Sequence, residues 1–415
     1  MTRLAQTPFN HPEWTKDKNI YEVNLRQYTS EGTISAFMTH LPRLHDMGVD
    51  ILWLMPIHPI GELNRKGTLG SQYAAKNYLE LDPALGNKTD LLSLVNKAHQ
   101  LGMYVILDWV ANHTAWDNIW VSEHLDWYQK DDGGSLFPYT YRDNNKVEYW
   151  TDVIGLDYNN KALWEGMKNA MAYWVTEFDI DGFRCDVAGL VPTPFWEYAT
   201  QELHKIKHLF MLAEWSSPEL HRKAFDMTYD WDLYTLMGDI ASGRKDAMDV
   251  IAYYNDLFSR YPRDAYRMLF TTNHDKNTWE ASDREYFGES FKAFTVLTMT
   301  LYGMPLIYSG QESILDKRLA FFEKDAINWR DFPLQQFYSE LLALKRNNCA
   351  LWNGEFGAQP EFLETNNHHV LSFVRRKNSN RVEVTINLSA ESQSITINQN
   401  TYEFSPYEYR ITTTP

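Results

Sequence analysis

Short apolar runs recur along this chain, each followed by a longer segment with helical periodicity. The runs are IYEVNL from Ile20, DILWLMP from Asp50, MYVILDW from Met103, DGFRCD from Asp181, FMLAEW from Phe210, DMTYDW from Asp226, RMLFTTN from Arg267 and MPLIYSG from Met304. Between them, residues 34–47, 89–101, 162–177, 195–206, 246–260 and 291–301 repeat their apolar positions with the period of an amphipathic helix. Alternating strand and helix predicts a parallel sheet, and eight units over this length predict closure into a (β/α)8 barrel. The competing arrangement is an open doubly wound sheet. It calls for a glycine-rich phosphate loop after the first strand, where this chain reads VNLRQYTS.

Two regions break the alternation. The stretch after the third run is too long for an ordinary connection and is rich in Asp, Asn, Gly and aromatic residues, which predicts an inserted lobe at 114–156. The tail alternates apolar and polar residues as HHVLSFVRR, RVEVTINLS and SQSITINQN, which predicts an antiparallel β-domain over 350–415. The barrel itself is then built from 1–113 and 157–349. A chain of 415 residues exceeds a single core, in keeping with one large domain and two small ones.

Composition narrows the partner. Aromatic residues make up 15%, with 15 Trp and 25 Tyr. Most fill the core, and the rest supply flat faces with polar edges of the kind sugar rings stack against. A net charge of −16 argues against nucleic acid, anionic membranes and polyphosphates, and leaves a neutral substrate as the better fit. The two cysteines, Cys185 and Cys349, give no disulfide framework. No run of about 18 apolar residues occurs, and the opening MTRLAQTPFNHPEW has no apolar signal region. These features read as a cytoplasmic protein, although a secreted one with its signal trimmed would read the same.

In a barrel of this kind the reactive groups stand at the C-terminal ends of the strands. Those positions hold Asp108, Asn112 and His113 after the third strand, Arg184 and Asp186 after the fourth, Glu214 after the fifth, and Asn273, His274 and Asp275 after the seventh. Any one of them alone reads as a cap or turn residue, but four carboxylates converging on one mouth suit glycoside hydrolysis. In GFRCDVA, Arg184 and Asp186 share one face of an extended strand. A neighbouring guanidinium favours an ionised Asp186, which can act as a nucleophile. Glu214 lies between Ala213 and Trp215, and an apolar setting raises a carboxyl pKa, as a proton donor needs. No HExxH spacing points to a metal instead.

In their order, DWVANH, GFRCDVA, AEW and TTNHD resemble the four signature regions of the α-amylase family, glycoside hydrolase family 13. GVDILWLMPI and GMPLIYSGQE resemble its second- and eighth-strand segments, and GSQYAAKNYLELDPALG is similar to the stretch that supplies its tyrosine platform. The resemblance implies that Asp186 is the nucleophile, Glu214 the general acid/base, and Asp275 the acid that grips the sugar hydroxyls. It implies that Arg184 orients Asp186, that His113 and His274 bind the sugar in the cleavage subsite, that Tyr73 stacks beneath it, and that Asp108 and Asn112 hold the third-strand loop. Many family members carry a Lys-His pair shortly after the nucleophile, where this chain has Gly189 and Leu190. No cofactor is implied for the chemistry. A structural calcium is allowed, held by Asn112 with one acid among Asp117, Asp126, Asp152 and Asp157.

The expected activity is retaining hydrolysis of α-1,4-glucosidic bonds in starch, glycogen or maltooligosaccharides, with an α-glucosidase, cyclomaltodextrinase or transglycosylase as the alternatives. A non-catalytic amylase-like scaffold or a glucan-binding protein is the rival from another class, disfavoured by the three acids and the missing membrane anchor. Nothing in the sequence closes one end of the cleft, so internal cleavage with mixed early products is expected.

Overall fold

The computed structural model describes residues 9–143, 146–397 and 400–414. Each of the eight apolar runs forms a barrel strand: in chain order Ile20–Val23, Ile51–Leu54, Tyr104–Trp109, Gly182–Cys185, Phe210–Ala213, Met227–Tyr229, Tyr266–Leu269 and Met304–Tyr308. Each pairs in parallel with the next, and the eighth pairs with the first, so the sheet closes. Helices cover the outside and side chains fill the inside, so these strands are buried almost throughout. That is why they read as continuous apolar runs with no alternation. The fourth strand opens on Gly182 because a Cβ there would come within 1.9 Å of the Phe210 carbonyl oxygen in the fifth.

Side-chain caps fix where the helices begin. Asn87 and Asp90 form a capping box at the start of Lys88–Gln100, Asp246 and Asp249 another at the start of Ala247–Arg260, and Asn160 caps Lys161–Phe178. Residues 34–47, expected as one helix, form two, Ile34–Met38 and Leu41–Met47. Pro42 lies in the first turn of the second, where its missing N–H is harmless; inside a continuous helix it would break a hydrogen bond.

Within the insertion, Lys146–Gly155 runs between His113–Ala115 and Pro138–Asp143 in a three-stranded antiparallel sheet. Its small core unites Ala115, Tyr139 and Val153 with Ile60 and Ala74 from the loop after the second barrel strand. The tail forms a four-stranded antiparallel sheet from Glu361–Phe362, Val370–Lys377, Asn380–Asn387 and Tyr409–Thr414, with a separate ribbon of Gln393–Ile397 and Asn400–Phe404. Arg375 pins this sheet to the barrel. Fully buried, it donates to the carbonyls of Thr300, Leu301, Trp352 and Ala358. Among the described residues, no helix is long and apolar enough to cross a membrane.

Candidate active site

The site is organised around the Arg184 guanidinium, which is wholly buried at the C-terminal end of the fourth strand. Its Nη1 donates to Asp108 Oδ1 at 2.8 Å and to Asp186 Oδ1 at 3.0 Å, and its Nε donates to the Tyr229 hydroxyl at 3.1 Å. Nη2 lies 3.0 Å from Glu214 Oε2, an ion-pair contact without hydrogen-bond alignment. One cation thus holds three carboxylates from three successive strands. Asp108 also accepts from Trp53 Nε1 at 3.1 Å and from the Tyr73 hydroxyl at 2.9 Å. Asp108 thereby ties Trp53, Tyr73 and Arg184 together beneath the carboxylate pair.

The two histidines sit in opposite charge states. Burial pushes His113 down to about 4, so its imidazole is neutral. For His274, burial also opposes charge, but Asp275 and Glu22 outweigh it and push the ring up to about 9. Glu22, fully buried on the first strand, brings Oε1 to 2.5 Å from His274 Nδ1, while His274 Nε2 faces the Tyr73 hydroxyl at 2.8 Å and Asp275 Oδ2 at 3.4 Å. The Tyr73 and His274 rings are nearly parallel, with centroids 5.4 Å apart.

For the carboxylate pair, charge balance differs from the expectation. Arg184 does lower the pKa of Asp186, but burial and the nearby Glu214 raise it more, and the net shift is upward. Burial, opposed by Arg184, also raises Glu214. In the free site the two carboxyls therefore compete for a proton as a pair. Glu214 Oε2 accepts the Val187 backbone N–H at 2.7 Å. Val187 presents that N–H from a left-handed backbone, φ 37°, rarely adopted by a β-branched residue.

Asp186, Glu214, Asp275, Tyr73, His113 and His274 line one cavity of about 490 Å³. Lys66, Trp150, Asp152, Trp279, Phe321 and Phe322 line it too, and the motifs did not single them out for it. Phe321 lies parallel to Tyr73 at 6.1 Å, and exposed Trp279 follows at 5.2 Å, so an aromatic strip leads out of the pocket. Glu22 was also missed, though a charge inside the buried run IYEVNL was a readable signal. The departure at Gly189 has a packing reason: a Cβ there would meet the Trp215 ring at 2.1 Å. Leu190 packs against the small core of the insertion.

The acids expected to share a calcium ion with Asn112 each contact a protein group, while Asp117 Oδ1 is buried with no hydrogen-bond partner among the described residues. Asn112 donates its side-chain amide N–H to His113 Nδ1 at 3.1 Å, and its backbone carbonyl accepts from the Leu156 N–H. Asp152 pairs with Lys66 at 2.8 Å, Asp117 accepts the Glu62 N–H at 2.9 Å, Asp126 accepts from Asn160 at 2.7 Å, and Asp157 from Asn159 at 2.8 Å. Among the described residues, no three His, Cys, Asp or Glu side chains gather as metal donors.

Comparison with known proteins gives the lineage. Residues 11–369 match the family described as alpha amylase, catalytic domain. An alpha-amylase from Lactobacillus plantarum superposes with a TM-score of 0.86 at 28% identity, covering 97% of this chain and 100% of that one. The maltogenic alpha-amylase AmyB of Thermotoga neapolitana gives 0.83 at 31% identity, with 97% of both chains covered. Alpha-amylase 2 of Dictyoglomus thermophilum is 24% identical over 95% of this chain and 73% of its own length. The chain spans 58% and 61% of the next two curated relatives. A closed barrel with its acids at the strand ends, matched by this family over most of its length, places the chain in the α-amylase family.

Proposed function

We propose that the protein is a retaining glycoside hydrolase that cleaves α-1,4-glucosidic bonds of α-glucans and maltooligosaccharides. The observation that carries this reading is the pairing of Asp186 and Glu214 about one buried guanidinium, with Asp275 lining the same cavity. In the reactive form the shared proton sits on Glu214, and the Arg184 hydrogen bond favours negative charge on Asp186. An Asp186 oxygen attacks the anomeric carbon while Glu214 passes its proton to the glycosidic oxygen. The bond to the leaving sugar breaks, that sugar departs as an alcohol, and a glycosyl ester remains. Water then attacks the same carbon, gives its proton to the Glu214 carboxylate, and releases Asp186. Two inversions restore the starting configuration.

The other groups tune this path. Asp275 and the His274 imidazolium face the sugar that becomes oxocarbenium-like, neutral His113 hydrogen-bonds a hydroxyl without adding charge, and Tyr73 offers its ring beneath. The net charge of −16 favours a neutral glucan over nucleic acid, and two free cysteines favour the cytoplasm. Transfer to a sugar acceptor is the second reading, favoured by a curated relative named as a maltosyltransferase; products longer than the substrate would mark it. The test is proton NMR of a maltooligosaccharide digest. The α-anomer should form first and mutarotate afterwards. A β-anomer first, or an Asp186→Asn protein as active as its parent, overturns the reading.

A further inference from the structure

The loop after the second barrel strand carries both Tyr73 and Lys66, and it is tied down on two sides. Toward the segment after the eighth strand, the Leu69 N–H donates to Phe322 O at 3.0 Å and the Thr68 N–H to the Glu323 carboxylate at 2.8 Å. Arg26 donates to the carbonyls of both Gly70 and Phe321, at 3.0 and 3.1 Å. Toward the insertion, Lys66 Nζ lies 2.8 Å from Asp152 Oδ1. That pair is partly exposed and contributes little to stability, so its position is what matters.

Lys66 and Asp152 both line the catalytic cavity. Lys66 also lines a second, more open depression of about 530 Å³, with Asn64, Arg65, Trp116, Pro138 and Thr151. Among the described residues it is the one common to the two linings. Lys66 therefore stands between the two hollows, with its ammonium held by an acid of the catalytic cavity. It also lies on the His113 side of the carboxylates. Trp150, two residues before Asp152 on the same strand, meets the His113 ring edge-on at 5.4 Å, whereas Glu214, the proton donor to the leaving sugar, is held by the Val187 N–H.

We propose that the Lys66–Asp152 bridge is a partition that ends the sugar-binding cleft on the glycone side, so that the enzyme removes a short unit of fixed length from the non-reducing end of an α-1,4-glucan. This rests on the catalytic reading above, which puts the attacked sugar among His113, His274 and Tyr73. It replaces the open cleft and internal cleavage expected from sequence. A cavity of about 490 Å³ lies in the lower half of the range for small-molecule sites, room for a few sugar rings and no long chain. A longer glycone would have to run where the ammonium and carboxylate meet.

The experiment follows early digests of reducing-end-labelled maltooligosaccharides by the parent, Lys66→Ala and Asp152→Asn, with α-maltosyl fluoride as a second substrate and melting curves for each protein. The parent should release one short unlabelled saccharide from the first time point and shorten the labelled chain stepwise. Lys66→Ala joins the two hollows, so the share of longer unlabelled products should rise about tenfold, with Asp152→Asn shifting the same way. Turnover of the fluoride together with mixed early products from the parent overturns the partition alone, as does an unchanged pattern in both folded variants. A folded parent inert to the fluoride overturns the catalytic reading and the partition with it.

Discussion

Glu22 Oε1 and His274 Nδ1 meet at 2.5 Å across the barrel, 252 positions apart in sequence, and neither side chain is more than 2% exposed. The carboxylate keeps the imidazole charged with a fixed orientation, and so makes Nε2 a donor toward the Tyr73 hydroxyl and the sugar site.

Glu22→Gln removes one of the negative charges that push His274 up to about 9. The imidazolium is then lost at lower pH, so the alkaline limb of kcat/KM should move down by about one unit or more. The same group carries a stability term. Its folded pKa lies above the usual 6.5, so its contribution is complete below pH 6.5 and lost as pH rises through about 9. The parent's Tm should therefore fall more steeply than the variant's across that window. Superimposable pH–rate profiles for the two proteins would show that Glu22 has no hold on His274.

The two catalytic carboxyls are separable by leaving group. Glu214→Gln loses the proton that a sugar leaving group needs, on the order of 10³-fold in rate on starch, yet a glycosyl fluoride hardly needs that proton and should still form the glycosyl ester. Asp186→Asn should fail on both substrates, because no leaving group replaces the missing nucleophile. Single-turnover kinetics of both variants on both substrates decides it, and equal losses for Glu214→Gln would mean the roles are misassigned.

Chelation should change little. The insertion is joined to the rest of the molecule by protein groups: Asn118 donates to Ala75 O at 2.8 Å, Asp117 accepts the Glu62 N–H at 2.9 Å, and Lys66 pairs with Asp152. Excess EDTA should shift neither Tm nor turnover. A fall of several degrees, restored by added calcium, would reveal a cation site that the side chains do not show.

Gly189→Ala drives a methyl group into the Trp215 indole. Overpacking of this kind costs about 1–3 kcal/mol, and here it presses on the residue next to Glu214, so stability and kcat should fall together. The double variant with Trp215→Ala should recover part of the stability, measured by denaturant unfolding. Additive losses would place the damage elsewhere.

How much of this was legible depends on whether a neighbour in sequence is also a neighbour in space. Strands such as Ile51–Leu54 are buried on both faces and therefore write themselves as apolar runs, and Asp186 and Glu214 follow such runs closely. The break between Ile34–Met38 and Leu41–Met47 was hidden because both pieces bury apolar residues at helical spacing. Lys66 gave no signal at all. It sits in the polar stretch NRKGTLGSQ, and only folding brings it to Asp152. The shift of Asp186 was misjudged for a related reason: the adjacent Arg184 was visible, whereas the depth of burial was not.

Val187, at φ 37°, holds its N–H against Glu214 at a conformational cost of about 1–3 kcal/mol that a glycine would not incur. Glycine here would make the folded chain easier to hold, yet leave Glu214 tethered by a looser backbone. Efforts to toughen this enzyme against heat and efforts to quicken it thus pull in opposite directions at one residue, and variants selected for endurance alone should drift toward glycine at the expense of rate.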